Sequence, residues 1–334
     1  MRKNNKLNLF TLLNSFLIFL FSIFVNRGVS LDATSLGLNL QELSDSLPTI
    51  SGFLQPHRIL LPILGRIAGV ELQILNVAFL FLFLVGVYFF VLNFTNHKFT
   101  FLFIACLGST MVVQFTLIYG GYPDILCYLF LFLAFKYKQK NYLPYILFFL
   151  ALLVKETAIF TLLFFFFLKD INKRKIIISF VSYLPIYFLL SKGAYSPSYF
   201  LDLILNDPLY FFNQSAEKII LGYFSSVKFL WFFLIVVIFL NRNISLKPVL
   251  YLNVGIFLQF FLGGDTTRFV SFIFLGFLYV IENIQIKNIN KLSNILILVL
   301  LLNVFTPKYY VFAYGELAMP NESRLHFIDL GILD

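Results

Sequence analysis

Charge is what this sequence has least of. Asp, Glu, Lys and Arg make up 12% of its 334 residues, against about 25% in soluble domains. Hydrophobic residues make up 60%, and the mean hydropathy is +0.89. So few charges cannot cover the surface of an ordinary water-soluble domain. Cysteine is scarce too: Cys106 and Cys127 both lie in apolar runs, where a thiol behaves as a small hydrophobe. A disulfide framework and a cysteine metal site are thereby excluded. There is no glycine-rich phosphate loop and no soluble nucleotide domain, which argues against an enzyme using nucleotide sugars. The net charge of +9 is split into short clusters between apolar runs, whereas nucleic-acid binding needs a basic face or stripe; no nucleic-acid partner is expected. No small-residue cleavage site follows the first apolar run, which ends Phe24-Val25-Asn26-Arg27, so that run reads as an uncleaved span rather than a signal peptide.

What is present is a succession of apolar runs of helical length. They fall at 9–25, 74–92, 99–118, 125–135, 142–168, 176–190, 229–240, 249–262, 269–281 and 292–305. The run at 142–168 is too long for one upright span and is interrupted by Lys155-Glu156-Thr157. Charges at the bilayer centre cost about 2.5–3.5 kcal/mol each, so this run reads as two short helices meeting at a water-exposed break. The fold class is therefore all-α: a single polytopic transmembrane domain over 1–334 with about eleven spans, some short or broken. Long connections at 26–72 and 191–226 and a tail at 306–334 complete it, with a short interfacial helix expected at 59–68 that carries Arg58 and Arg66 on its edges. The basic turns at Lys98, Lys136 to Lys140, Lys169 to Lys175, Arg242, Lys247, Lys287 and Lys291 then all fall on the side of the amino terminus. By the positive-inside rule the amino end is cytoplasmic and the carboxyl tail outside, in a bacterial inner or plasma membrane.

On this topology nearly every acid lies outside, with Asp170 and Glu282 the exceptions. Acids do little to set topology, so their outward gathering has another cause. Each outer group ends a short or broken helix: the acids Asp32, Glu42 and Asp45 with His57 and Arg58, Asp124 after Tyr119-Gly120-Gly121-Tyr122-Pro123, Lys155 with Glu156, and Asp265 with Arg268. Helices that stop below the outer surface leave a polar cavity walled by protein, and ionisable residues there are functional candidates.

In order along the chain, an acid-bearing first outer loop, Arg58-Ile59-Leu60-Leu61-Pro62, Gly121-Tyr122-Pro123-Asp124, Lys155-Glu156 and Asp265-Thr266-Thr267-Arg268 resemble the C-type integral membrane glycosyltransferases. The resemblance implies transfer of a sugar from a polyprenyl-phosphate donor to a glycan, lipid or protein acceptor on the outer side of the membrane. Members of that family place a catalytic acid in the first outer loop, often as paired acids. Here that form is missing, and Asp32 is the nearest positional match, with Glu42 and Asp45 behind it. The chemistry needs a carboxylate to take the acceptor's hydroxyl proton, for which Asp32, Asp45 and Glu42 are the candidates. It also needs cations against the departing lipid phosphate, where forked guanidinium donors match phosphate oxygens: Arg58 and Arg268, then Lys155 and His57. Asp124, Glu156 and Asp265 are expected to support the cavity. Glu42 and Asp45, three apart, could share a divalent metal, but nothing nearby completes a ligand set, so no cofactor is expected.

Two other classes compete. A lipid-linked glycan polymerase or ligase shares the outer face and the lipid phosphate. A transporter or flippase also buries charges, but many carry internal repeats with sites at the bilayer midplane. No convincing repeat relates the halves of this chain, and its charges gather at one face.

Overall fold

The computed structural model describes residues 9–26, 35–46, 58–119, 121–191, 198, 205–206, 216–241, 244–259, 266–284, 289–306, 310–311 and 317–318. Among the described residues the regular secondary structure is helical apart from one antiparallel pairing of Tyr310–Val311 with Leu317–Ala318. The helices are α1 (Leu9–Val25), α2 (Ser35–Ser46), α3 (Leu60–Ala68), α4 (Leu72–Leu92), α5 (His97–Gly108), α6 (Met111–Ile118), α7 (Asp124–Lys136), α8 (Leu143–Val154), α9 (Leu162–Phe167) and α10 (Lys173–Leu190). After them come α11 (Ala216–Val227), α12 (Leu230–Leu240), α13 (Lys247–Gln259), α14 (Thr266–Val270), α15 (Phe274–Glu282) and α16 (Ile289–Phe305).

The outer helices are apolar on the wrong side for water. In α1 the buried face is Thr11, Ser15, Ile18 and Ser22, while Leu13, Phe16, Leu17, Leu20 and Phe24 are exposed. The inward hydroxyls are satisfied within the helix: Ser15 donates to the Thr11 carbonyl at 2.9 Å and Ser22 to that of Ile18 at 2.8 Å. Small polar residues inside and large apolar residues outside is how helices pack in lipid, where close backbone approach replaces the hydrophobic drive. In α16 Ser293 and Asn303 are buried among Ile289, Leu292, Leu296 and Val299, while Leu298, Leu301 and Phe305 are exposed.

Full crossings are fewer than the sequence led us to expect. Among the described residues one helix, α4, is long and apolar enough to cross a membrane, and at most three crossings result if each bent helix pair counts as one. The 21 residues of α4 extend about 32 Å, matching a hydrocarbon core of about 30 Å. The expectation of about eleven spans is corrected on this point, because most of the apolar runs are cut short or bent. The run at 99–118, read as one crossing, divides into α5 and α6 at an angle of 51°. The cause is local: Ser109 Oγ donates to the Cys106 carbonyl at 2.7 Å and Thr110 Oγ1 to that of Leu107 at 2.6 Å. Side-chain hydroxyls that take helical carbonyls compete with the backbone ladder and end it. Likewise α11 and α12 meet at 77°, across Lys228 with its left-handed φ of 49°.

The centre of the fold is α7, which lies against α4 and α8. Its 13 residues reach only about 20 Å, and it is buried nearly all round. The run at 142–168 breaks where its charges fall: α8 ends at Val154, Lys155 is extended at φ −156°, ψ 118°, and a 3₁₀ segment Glu156–Thr161 leads into α9. That segment and α9 pack against α13. There Gly255 is required by space, since a Cβ would stand 1.9 Å from the Phe160 carbonyl oxygen.

Candidate functional site

Two ionic groups cap the two ends of α7. The first is built on Asp124, the first residue of the helix. Gly121 supplies a left-handed φ of 82°, a conformation glycine adopts without steric cost. That turn brings the chain through Pro123 into the helix, and an acid at its start suits the positive end of the macrodipole. Asp124 is 1% exposed. Its Oδ2 accepts from Arg268 Nη2 at 2.7 Å, and its Oδ1 accepts from Arg268 Nε at 3.4 Å and from Lys155 Nζ. One carboxylate thus gathers two cations from separate parts of the chain, Lys155 from the break after α8 and Arg268 from α14.

Aromatic rings wall this group. The Arg268 guanidinium carbon lies 4.7 Å from the Phe115 ring centroid and 4.8 Å from that of Tyr122, and Lys155 Nζ lies 5.9 Å from that of Phe272. Tyr128, one turn along α7 from Asp124, donates its hydroxyl to the Arg268 carbonyl at 3.4 Å. Next to Arg268, Thr267 shares a hydrogen bond of 3.2 Å with Ser225 of α11. Cation–π contacts of this kind gain strength when desolvated, so the guanidinium is held by its carboxylate on one side and by rings on others.

A second ion pair adjoins the first through the chain itself. Arg58, just ahead of α3, donates Nε to Glu156 Oε2 at 2.7 Å and Nη2 to Glu156 Oε1, a two-pronged pairing that fixes the carboxylate plane. Glu156 follows Lys155 directly, so Arg58, Glu156, Lys155, Asp124 and Arg268 make one continuous charged patch. The structure therefore unites five of the ten residues singled out from the sequence. Glu42 and Asp45 are not among them: α2 buries Leu40, Leu43 and Ser44 and exposes Glu42 and Asp45, and Asp45 accepts from Gln41 at 2.9 Å. Asp32, His57 and Asp265 lie outside the described residues. No group of three or more metal-ligating His, Cys, Asp or Glu side chains occurs among the described residues.

Sequence reading passed over the uncharged members. Asn76 of α4 donates Nδ2 to the Tyr122 carbonyl at 2.6 Å, and Phe115 and Tyr122 form the aromatic wall. The available signal was polar amides, Gln73 and Asn76, at the start of an otherwise apolar helix.

The other end of α7 carries Lys138, paired with Glu282 and 3.9 Å from Asp170. A cavity of about 440 Å³ opens there, lined by Phe94, Lys138, Asp170, Tyr279 and Glu282 among others. It does not touch the Asp124 group. We place the candidate site at the Asp124 end, where paired cations are brought together in burial beside aromatic rings; Lys138 is already matched by two acids. No family model, curated protein or solved structure matches this chain.

Proposed function

We propose that the protein is an integral membrane glycosyltransferase that moves a sugar from a polyprenyl-phosphate donor to an acceptor outside the cell membrane. The observation that carries the reading is the meeting of Lys155 and Arg268 on one buried carboxylate. Two cations fixed side by side suit the developing charge of a leaving phosphate, since preorganised charges need no reorganisation during reaction. Lys155 has three N–H donors, of which one bond to Asp124 is made, so donors remain for a phosphate oxygen. Arg58, held by Glu156, is the next cation along.

In this reaction the acceptor oxygen attacks the anomeric carbon and the bond from that carbon to the phosphate oxygen breaks. The lipid phosphate leaves with the electron pair, and a carboxylate takes the acceptor proton. Asp124 and Glu156 are engaged with cations, so the base is assigned to the first connection, with Asp32 first and Asp45 and Glu42 behind it. The reading includes an outward-facing Asp124 end, a cytoplasmic amino terminus, and short helices that enter the membrane part-way. Purified protein in nanodiscs, given polyprenyl-phosphate sugars and a membrane lipid extract as acceptor source, should release free polyprenyl phosphate. Failure to consume any such donor, with Asp124→Asn and wild type alike inert, would overturn the assignment. A polymerase or ligase acting through the same phosphate chemistry would show itself by products lengthened by whole glycan units.

A further inference from the structure

Three buried amides on α4 and α6 each have an oxygen with nothing to accept. Gln73, Asn76 and Gln114 are 6%, 1% and 1% exposed. Gln73 Oε1, Asn76 Oδ1 and Gln114 Oε1 are buried without a hydrogen-bond partner. Leaving such an acceptor unmatched forfeits its solvation, and the great majority of buried polar atoms avoid it. Orphaned acceptors on two helices that pack together, α4 and α6, suit a donor brought by a ligand.

Their placement says where that donor sits. Gln73 and Asn76 are three residues apart on α4 and so share a face. Asn76 uses its Nδ2 on the Tyr122 carbonyl at 2.6 Å, which fixes the amide and turns its oxygen elsewhere. Tyr122 in turn presents its ring to Arg268 at 4.8 Å. Gln114 immediately precedes Phe115, the other ring against Arg268, at 4.7 Å. Phe115, Tyr119 and Tyr122 form an aromatic cluster apart from the main core, with ring centroids 4.5 to 5.8 Å apart.

The chemistry narrows the ligand. The Asn76 amide is fixed by its bond to Tyr122, so its oxygen can only accept, and a phosphate or carboxylate against it would set acceptor against acceptor. An ammonium group would be repelled by Lys155 and Arg268. Neutral hydroxyls remain. We propose that Gln73, Asn76 and Gln114 form a hydroxyl-recognition subsite for the sugar ring of the donor, next to the cations that hold its phosphate. The proposal rests on the glycosyltransferase reading above, and its test separates the two.

The full chain in nanodiscs is titrated with bare polyprenyl phosphate and with a panel of polyprenyl-phosphate hexoses and pentoses. At least one sugar-bearing lipid should bind about tenfold or more tighter than the bare phosphate. Gln73→Leu, Asn76→Leu and Gln114→Met should each lower that increment by about tenfold, the scale of one lost hydrogen bond, while bare phosphate binds as before. Arg268→Ala should weaken both ligands together. Gln73→Leu and Gln114→Met break no bond seen in the fold, so their melting temperatures should equal or exceed that of wild type; this keeps the test valid if Asn76→Leu folds poorly. A sugar increment that survives in the Gln73→Leu/Gln114→Met double variant, or no increment for any sugar, overturns the subsite. No binding of bare polyprenyl phosphate refutes the function on which it stands.

Discussion

Replacing Asp124 by Asn tests whether the buried patch is ionic in the way described. Asparagine keeps the shape and one acceptor oxygen but removes the charge, leaving Lys155 and Arg268 against each other in an environment where Asp124 is 1% exposed. Removing one partner of a buried pair costs about 3–5 kcal/mol, because the charges left behind are uncompensated. With an unfolding entropy of about 2.1 cal/mol/K per residue, the 334-residue chain would melt about 4–7 °C lower. Lys155→Met alone should cost less, since it leaves Asp124 paired with Arg268 at 2.7 Å. Lys155→Met should also make the later change Asp124→Asn cheaper, because only one cation then lacks its partner. The full cycle is read by thermal unfolding of all four proteins in one detergent. An Asp124→Asn melting temperature equal to wild type, or a double variant that shows no coupling, would refute the account of one carboxylate neutralising two cations.

Asp32→Asn should slow single-turnover transfer by about 10²–10⁴-fold, as loss of a general base does, with donor affinity kept; normal transfer moves the base to Asp45 or Glu42, and normal transfer with all three replaced removes the mechanism. Arg268→Ala, in contrast, should weaken donor binding as well as transfer, and a variant with unchanged affinity would make Arg268 a purely structural partner of Asp124. Cysteines placed singly at Lys140 and Ser196 should label from opposite sides of the membrane, against little background because Cys106 and Cys127 are buried; labelling of both from one side would sink the topology. Gly255→Ala drives a Cβ to 1.9 Å from the Phe160 carbonyl and should destabilise by about 1–3 kcal/mol, the usual cost of overpacking; an unchanged melting temperature would mean that α13 and the 3₁₀ segment are free to separate.

What could be read from the sequence were the places where charge interrupts hydrocarbon. Lys155-Glu156 marked the break after α8, and the glycine turn before Asp124 marked the start of α7, because each is costly in an apolar run and so has few explanations. The bend at Ser109 and Thr110 was hidden, since two hydroxyls barely lower the hydropathy of a 20-residue window and act through bonds to Cys106 and Leu107 carbonyls. The pairing of Asp124 with Arg268, 144 residues apart, leaves no local trace either. Gln73 and Asn76 were not singled out, since their unmatched oxygens emerge only once α4 is packed beside Tyr122.

The break at Lys155 has a mechanical consequence. The peptide between Lys155 and Glu156 is a planar unit, and the opposite charges on either side of it are anchored to separate partners. One anchor is Asp124; the other is Arg58, at the end of the connection that holds Asp32, Glu42 and Asp45. The Asp124–Arg268 group and the chain entering α3 are thus tied together through a single peptide group.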